Sequence, residues 1–391
     1  MTGQRKDALA KQQWAEEVFK QIEEKLSWVS EKNKEKIPYT TGADGSYDDR
    51  SDQAAFGEDY SRGKSWWTNG FWGGLLWQLY KATGKESYAQ IARASEEKLD
   101  ECFLQYEGIH HDVGFMWMPT AVADYRLTGE KKGKIRGLLA AQLLAGRFNP
   151  AGGFIRAWND IPGEDTRGWA IIDCMMNISL LYWASEETGD PRYREIAMLH
   201  AQTAVKSFIR EDGSTNHIVA FDPETGSLLR TYGGQGYKEG SVWTRGQAWA
   251  IYGFTISYLH TKKEEFLQMA QRAASYFIAH MPKDGIIPVD FLQPPLPALE
   301  DSCAGVIAAS GLLSLAECVS SKEAEDYEEA AFRILKTIAE KRCSFGRECD
   351  AIVQKCTGSY HGGDHHITMV YADYFFLEAI LKLTGKGFFL W

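Results

Sequence analysis

The chain lacks long apolar runs, paired cysteines, a basic stripe and a linker, and each lack narrows what it can do. No apolar stretch reaches the roughly 18 residues that a membrane-spanning helix needs. The N-terminal MTGQRKDALAKQQWAEEVFKQIEEKL reads as an amphipathic helix and not as a signal peptide, so a cytoplasmic protein without membrane association is expected. The seven cysteines are odd in number and have no CxxC spacing, Cys343, Cys349 and Cys356 being the closest set; reduced thiols are expected, without disulfides or zinc. A formal charge of -10 with no clustered Lys and Arg argues against nucleic acid, although a local basic pocket still suits a small anion. With no linker in sight, residues 1–391 are read as a single domain, a monomer or small homo-oligomer.

What is present is a repeat. A polar or Gly-rich turn leads into an apolar helical segment, a short break often reading TG, and a second, amphipathic helix. Copies begin at WWTNGFWGG, HHDVGFMWM, IIDCMMNIS, WTRGQAWAI and DSCAGVIAA, with a partial sixth at TMVYADYFF. The first helix of each copy is apolar nearly all round and belongs inside; the second carries charge on one face and belongs outside. Six copies predict an all-α (α/α)6 toroid of six inner and six outer helices. The loop holding TNHIVAFD and SLLRTYG around a PETG turn predicts a small β-hairpin at the mouth.

Asn69, Asp112, Asp173, Arg245 and Asp301 all fall at or near the start of an inner helix, so closure of the ring brings them to one mouth. Asp173 and Asp301 can also serve simply as helix N-caps. Two carboxylates are the minimal kit for glycoside chemistry, one protonated as acid and one ionised. Asp173, in an apolar run, is the expected acid; Asp112 follows His110 and His111, whose partial positive charge would favour its ionised form. The pair His110 and His111 together with His361, His365 and His366 of HGGDHH also raises a metal site, but that second cluster lies in a Gly-rich loop with no helix to set two rings on one face. Arg245 suits either a substrate carboxylate or a bridge between repeats. Trp67, Trp158 and Trp249 suit sugar stacking or a core, and the 13% aromatic content fits both. His217 and Gln235 are uncommitted polar groups in the mouth loops.

The motifs HHDVGF, IIDCMMN, STNHIVAFDPETG and GSVWTRGQAWAIYGF, in this order, resemble the unsaturated glucuronyl hydrolases of glycoside hydrolase family 88 from about Trp66 to the end of the chain. The resemblance implies an (α/α)6 barrel and a hydrolase that removes a 4,5-unsaturated uronic acid from the non-reducing end of lyase-generated oligosaccharides by hydrating the C4=C5 bond. It implies Asp173 as general acid and base, Asp112 as the second essential carboxylate, and Trp67, His111, His217, Gln235, Arg245 and Trp249 as residues lining the uronate site. No metal or organic cofactor is implied. Two departures stand out: WTNGFW replaces the family's WTDGFW, putting Asn69 where an acid stands, and the stretch GSYHGGDHHITMVYADYF is shorter and richer in His than the family loop, leaving Ser359, His361 and His365 as candidate binders there. A galacturonyl-rhamnose hydrolase of the same fold, a sugar 2-epimerase and a noncatalytic sugar-binding toroid are the competing readings.

Overall fold

The computed structural model describes residues 3–51, 63–106, 108–161 and 163–391. Five helix pairs follow the repeat. The inner helix Gly70–Thr83 pairs with the outer helix Glu86–Lys98, and Val113–Trp117, Met118–Val122 and Ala123–Thr128 form a second inner rod against Lys131–Ala145. The third inner rod, Cys174–Asn177 and Ser179–Thr188, packs on Pro191–Ser207; Thr244–Thr261 packs on Glu264–His280, and Ser302–Ala316 on Ser321–Lys341. The sixth inner helix, Val370–Thr384, finds its outer partner at the other end of the sequence, in Gly3–Lys32. It also touches Gly70–Thr83, which closes the ring. The N-terminal amphipathic helix is thus the missing half of the incomplete sixth copy.

Local chemistry explains why the two ends of the barrel differ. Gly84, Gly129 and Gly189 end their helices in the left-handed region, at φ 71, 79 and 72, so each inner rod turns into its outer partner within a few residues. The long connections, residues 33–66, 146–173, 208–243, 281–301 and 342–369, all enter inner helices at their N-terminal ends. One face of the toroid therefore carries the loops. A π turn at Met118–Val122 widens the second rod where Pro119 removes a backbone N–H.

The expected hairpin forms from Ile218–Phe221 and Leu228–Tyr232. A third strand, Trp169–Ile171, pairs antiparallel with Ile218–Phe221 and was not foreseen from the sequence. Beneath the mouth an aromatic cluster fills the barrel: Phe71, Phe115, Trp249, Phe375 and Trp391 are all fully buried, and Trp391 stacks on Phe375 at 5.9 Å. Among the described residues no helix is long and apolar enough to cross a membrane.

Candidate active site

Asp112 and Asp173 each precede the first turn of an inner rod, and neither spends its side chain on capping that turn. One residue ties them together. The Nδ2 of Asn177 donates to Asp112 Oδ1 at 3.0 Å and to the backbone oxygen of Asp173 at 3.2 Å, while its Oδ1 accepts from Phe115 N at 2.7 Å. The Phe115 N–H fixes which end of the amide is the donor. The two rods must approach closely for this, and Gly114 permits it: a Cβ there would lie 2.5 Å from Asn177 Cα. Asn177 lies in the motif IIDCMMN, and its signal in the sequence is a lone amide one helical turn after Asp173 in an otherwise apolar run.

The remaining oxygen of Asp112 faces two imidazoles, His110 Nδ1 at 3.3 Å and His111 Nε2 at 3.5 Å. Burial pushes the Asp112 carboxyl well up, the nearby Asp173 charge adds to this, and the Asn177 hydrogen bond opposes it. The histidines give no help to an ionised carboxylate. Burial drives His110 down to about 3 and His111 well below its ordinary value, so both are neutral near pH 7. The expectation that they would hold Asp112 ionised is corrected on that ground.

Asp173 is 18% exposed at its side chain, and its Oδ1 has no hydrogen-bond partner. Burial raises its carboxyl to about 7, against a lowering influence from Arg245. Its nearest basic neighbour is His217 Nε2, at 4.0 Å. The sheet delivers that contact: Ile172 N donates to the backbone oxygen of His217 at 3.1 Å, continuing the pairing of Trp169–Ile171 with Ile218–Phe221. His217 Nδ1 accepts the Gln235 backbone N–H at 3.0 Å, which leaves the ring proton on Nε2, facing Asp173. Gly234 makes room for this; it sits at φ +57, and a Cβ would lie 1.9 Å from His217 Nδ1.

The other expected site residues divide into mouth and frame. Trp67 is partly exposed beside Phe115 (5.4 Å) and Tyr371 (4.9 Å), and Gln235 and Ser359 are partly exposed in neighbouring loops, joined by a Tyr360 N–H to Gln235 O bond of 2.9 Å. Trp249 is 0% exposed between Phe115 and Phe375, so in this structure it forms the floor beneath the mouth and cannot offer a sugar-stacking face. Arg245 is 2% exposed and donates to Asp301 Oδ2 (2.7 Å), Thr357 O (2.9 Å) and Gly358 O (2.6 Å). Of the two roles open to it, these bonds fit the bridge between repeats; its charge still reaches Asp173. Asp301 also caps its helix through Cys303 N at 3.1 Å. Asn69 is buried and donates to Gly63 O (3.1 Å) and Lys64 O (2.7 Å), two bonds that an ionised aspartate could not make. In HGGDHH, His361 Nε2 meets Tyr237 O at 2.6 Å and His365 Nε2 meets Tyr360 O at 3.0 Å. These rings fasten the loop.

Comparison with known proteins finds relatives over most of the chain. The profile of Glycosyl Hydrolase Family 88 matches residues 43–391. The chain is 36% identical over 328 residues to the unsaturated glucuronyl hydrolase of Bacillus sp. (strain GL1), covering 81% of this chain and 86% of that one. It is 34% identical over 323 residues to the unsaturated chondroitin disaccharide hydrolase of Streptococcus pyogenes serotype M1, covering 81% and 80%. The crystal structure of the Bacillus sp. GL1 enzyme, described as responsible for the degradation of glycosaminoglycan, superposes with a TM-score of 0.87 at 31% identity over 94% of this chain and 96% of that one.

Proposed function

The chain belongs to Glycosyl Hydrolase Family 88, and from that premise we propose how its mouth performs the reaction. The enzyme removes the 4,5-unsaturated uronic acid from the non-reducing end of glycosaminoglycan-derived oligosaccharides. Epimerisation and binding without turnover find no support beside this match.

The C4=C5 bond of such a uronate is an enol ether, because C5 also carries the ring oxygen. Protonation at C4 leaves positive charge shared between C5 and that oxygen. Water then adds at C5 and gives up a proton, the hemiketal opens to a C5 ketone, and the freed C1 hydroxyl releases the shortened saccharide. Asp173 supplies the proton to C4 and, now a carboxylate, takes one back from the water, so it returns to its starting state. The observation that carries this assignment is a partly exposed side chain at the mouth whose carboxyl is raised to about 7 and whose buried Oδ1 has no hydrogen-bond partner. A group so poised holds its proton at neutral pH and releases it readily.

Asp112, held by Asn177, binds the sugar through a carboxyl that burial and the nearby Asp173 charge push well up. His111 and the Nε2–H of His217 line the same space, with Trp67 as the sugar-stacking face and Gln235 and Ser359 as polar contacts from the loops. Arg245 acts here through its field and by holding the backbone of Thr357 and Gly358 at the mouth. In the assay, wild type erases the ultraviolet absorbance of the conjugated alkene in a lyase-generated disaccharide. Asp173→Asn keeps the shape and loses the proton, and a fall in kcat of about 10²- to 10⁴-fold is expected in a folded protein. Wild-type turnover in that variant would remove Asp173 from the role.

A further inference from the structure

His110, His111 and Asp112 present three ligand atoms that all lie within 4.8 Å of one another. Asp112 Oδ2 is 3.3 Å from His110 Nδ1 and 3.5 Å from His111 Nε2. A tetrahedral zinc ion with bonds of about 2.0–2.1 Å sets its ligand atoms about 3.3–3.4 Å apart. The two separations already match that edge. Asn177 takes only Oδ1 of the carboxylate, which turns Oδ2 toward both rings. His111 is 1% exposed, with Nδ1 unpartnered and Nε2 facing Asp112 Oδ2, and an ion on Nε2 would move the ring proton to Nδ1. The one competing contact, Asp112 N to His110 Nδ1, is long at 3.5 Å. His110 is 20% exposed at its side chain and gives an ion a way in from the mouth.

The molecule holds a second cluster of the same kind, Asp301 with Cys303 and Cys356. It is a poorer candidate. Asp301 already accepts from Arg245, Cys303 N and Thr357 N, and all three residues of the cluster are buried, which leaves an ion no open way in.

We propose that His110, His111 and Asp112 form a binding site for a borderline divalent cation such as Zn²⁺, and that its occupancy inhibits the hydrolase. The binding stands on the geometry of the three ligands alone. The inhibition rests on the role given to Asp112 above, because an ion on Oδ2 occupies the carboxylate oxygen that Asn177 leaves free. Two imidazoles favour Zn²⁺ over Mg²⁺, which prefers oxygen ligands.

Zinc chloride titrated into the full chain, followed by calorimetry and by metal content after gel filtration, should give one ion per chain, with Mg²⁺ giving none. His110→Ala should weaken zinc binding about tenfold or more, whereas His361→Ala and Cys303→Ala leave it unchanged. Cobalt absorbance of the unsubstituted protein checks the ligands without any variant: nitrogen and oxygen ligation shows no thiolate charge-transfer band. Saturation only at millimolar zinc, undiminished binding in His110→Ala, or a thiolate band would overturn the site. Activity should fall in step with occupancy and return with EDTA. Zinc bound at this site with full activity would overturn the inhibition and count against Asp112, whereas absent binding leaves the proposed reaction untouched.

Discussion

At the start of the fifth inner helix, Asp301 is fully buried and accepts from Arg245, Cys303 N and Thr357 N; at the start of the third, Asp173 is 18% exposed with an oxygen that accepts from nothing. Both are aspartates before an apolar run at the same station of the repeat. Burial raises both carboxyls, and Arg245 opposes the rise in both, yet only at Asp301 does Arg245 arrive within hydrogen-bonding distance. A polar residue at a helix start becomes framework when neighbouring repeats supply its partners, and becomes chemistry when they stop short.

The difference can be broken from either side. The largest stability effect falls on the framework acid: Asp301→Ala leaves Arg245 buried without its carboxylate, and a loss of about 3–5 kcal/mol is expected in denaturant unfolding. A loss near zero would mean that Arg245 readily finds another acceptor. Next comes the opposite sign at Asp173. Its folded pKa, about 7, lies above the unfolded value, so the penalty is absent below the unfolded pKa, grows as pH rises toward 7 and is complete above it. Asp173→Asn removes that penalty, and thermal unfolding above pH 7 should show a gain on the order of 1–4 kcal/mol that vanishes by pH 4. Smaller again is Asn177→Ala, which frees Asp112 Oδ1 and loosens the two rods; kcat should drop about tenfold with a lesser change in KM. An equal rise of KM with kcat intact would make Asn177 a ground-state binder.

Much of this contrast lay in the sequence, and the part that did not was long-range. Apolar runs broken by TG announced the helix pairs because a left-handed glycine is a local event, and PETG announced the hairpin for the same reason. The closing of the ring by Gly3–Lys32 joins residues hundreds of positions apart, and no periodicity records it. Trp169–Ile171 is three residues long, too short to show an alternation, yet it carries the pairing that sets His217 beside Asp173. The mouth acids were found from their station along the repeat, but their protonation was misjudged at Asp112, since adjacent histidines look cationic in sequence and only burial makes them neutral. Trp249 shares the inner-helix pattern of a mouth residue; one helical turn of depth puts it in the floor.

The central claim is that Asp173 holds a transferable proton near neutrality, and the pH dependence of kcat tests it most directly. Because the protonated form donates to C4, kcat should be level on the acid side and fall tenfold per unit as pH rises beyond about 7. That limb should persist in Asp112→Asn, whatever activity remains, because burial is the largest cause of the rise at Asp173. A profile flat to pH 9, or a fall centred near the ordinary carboxylate value, would contradict the account.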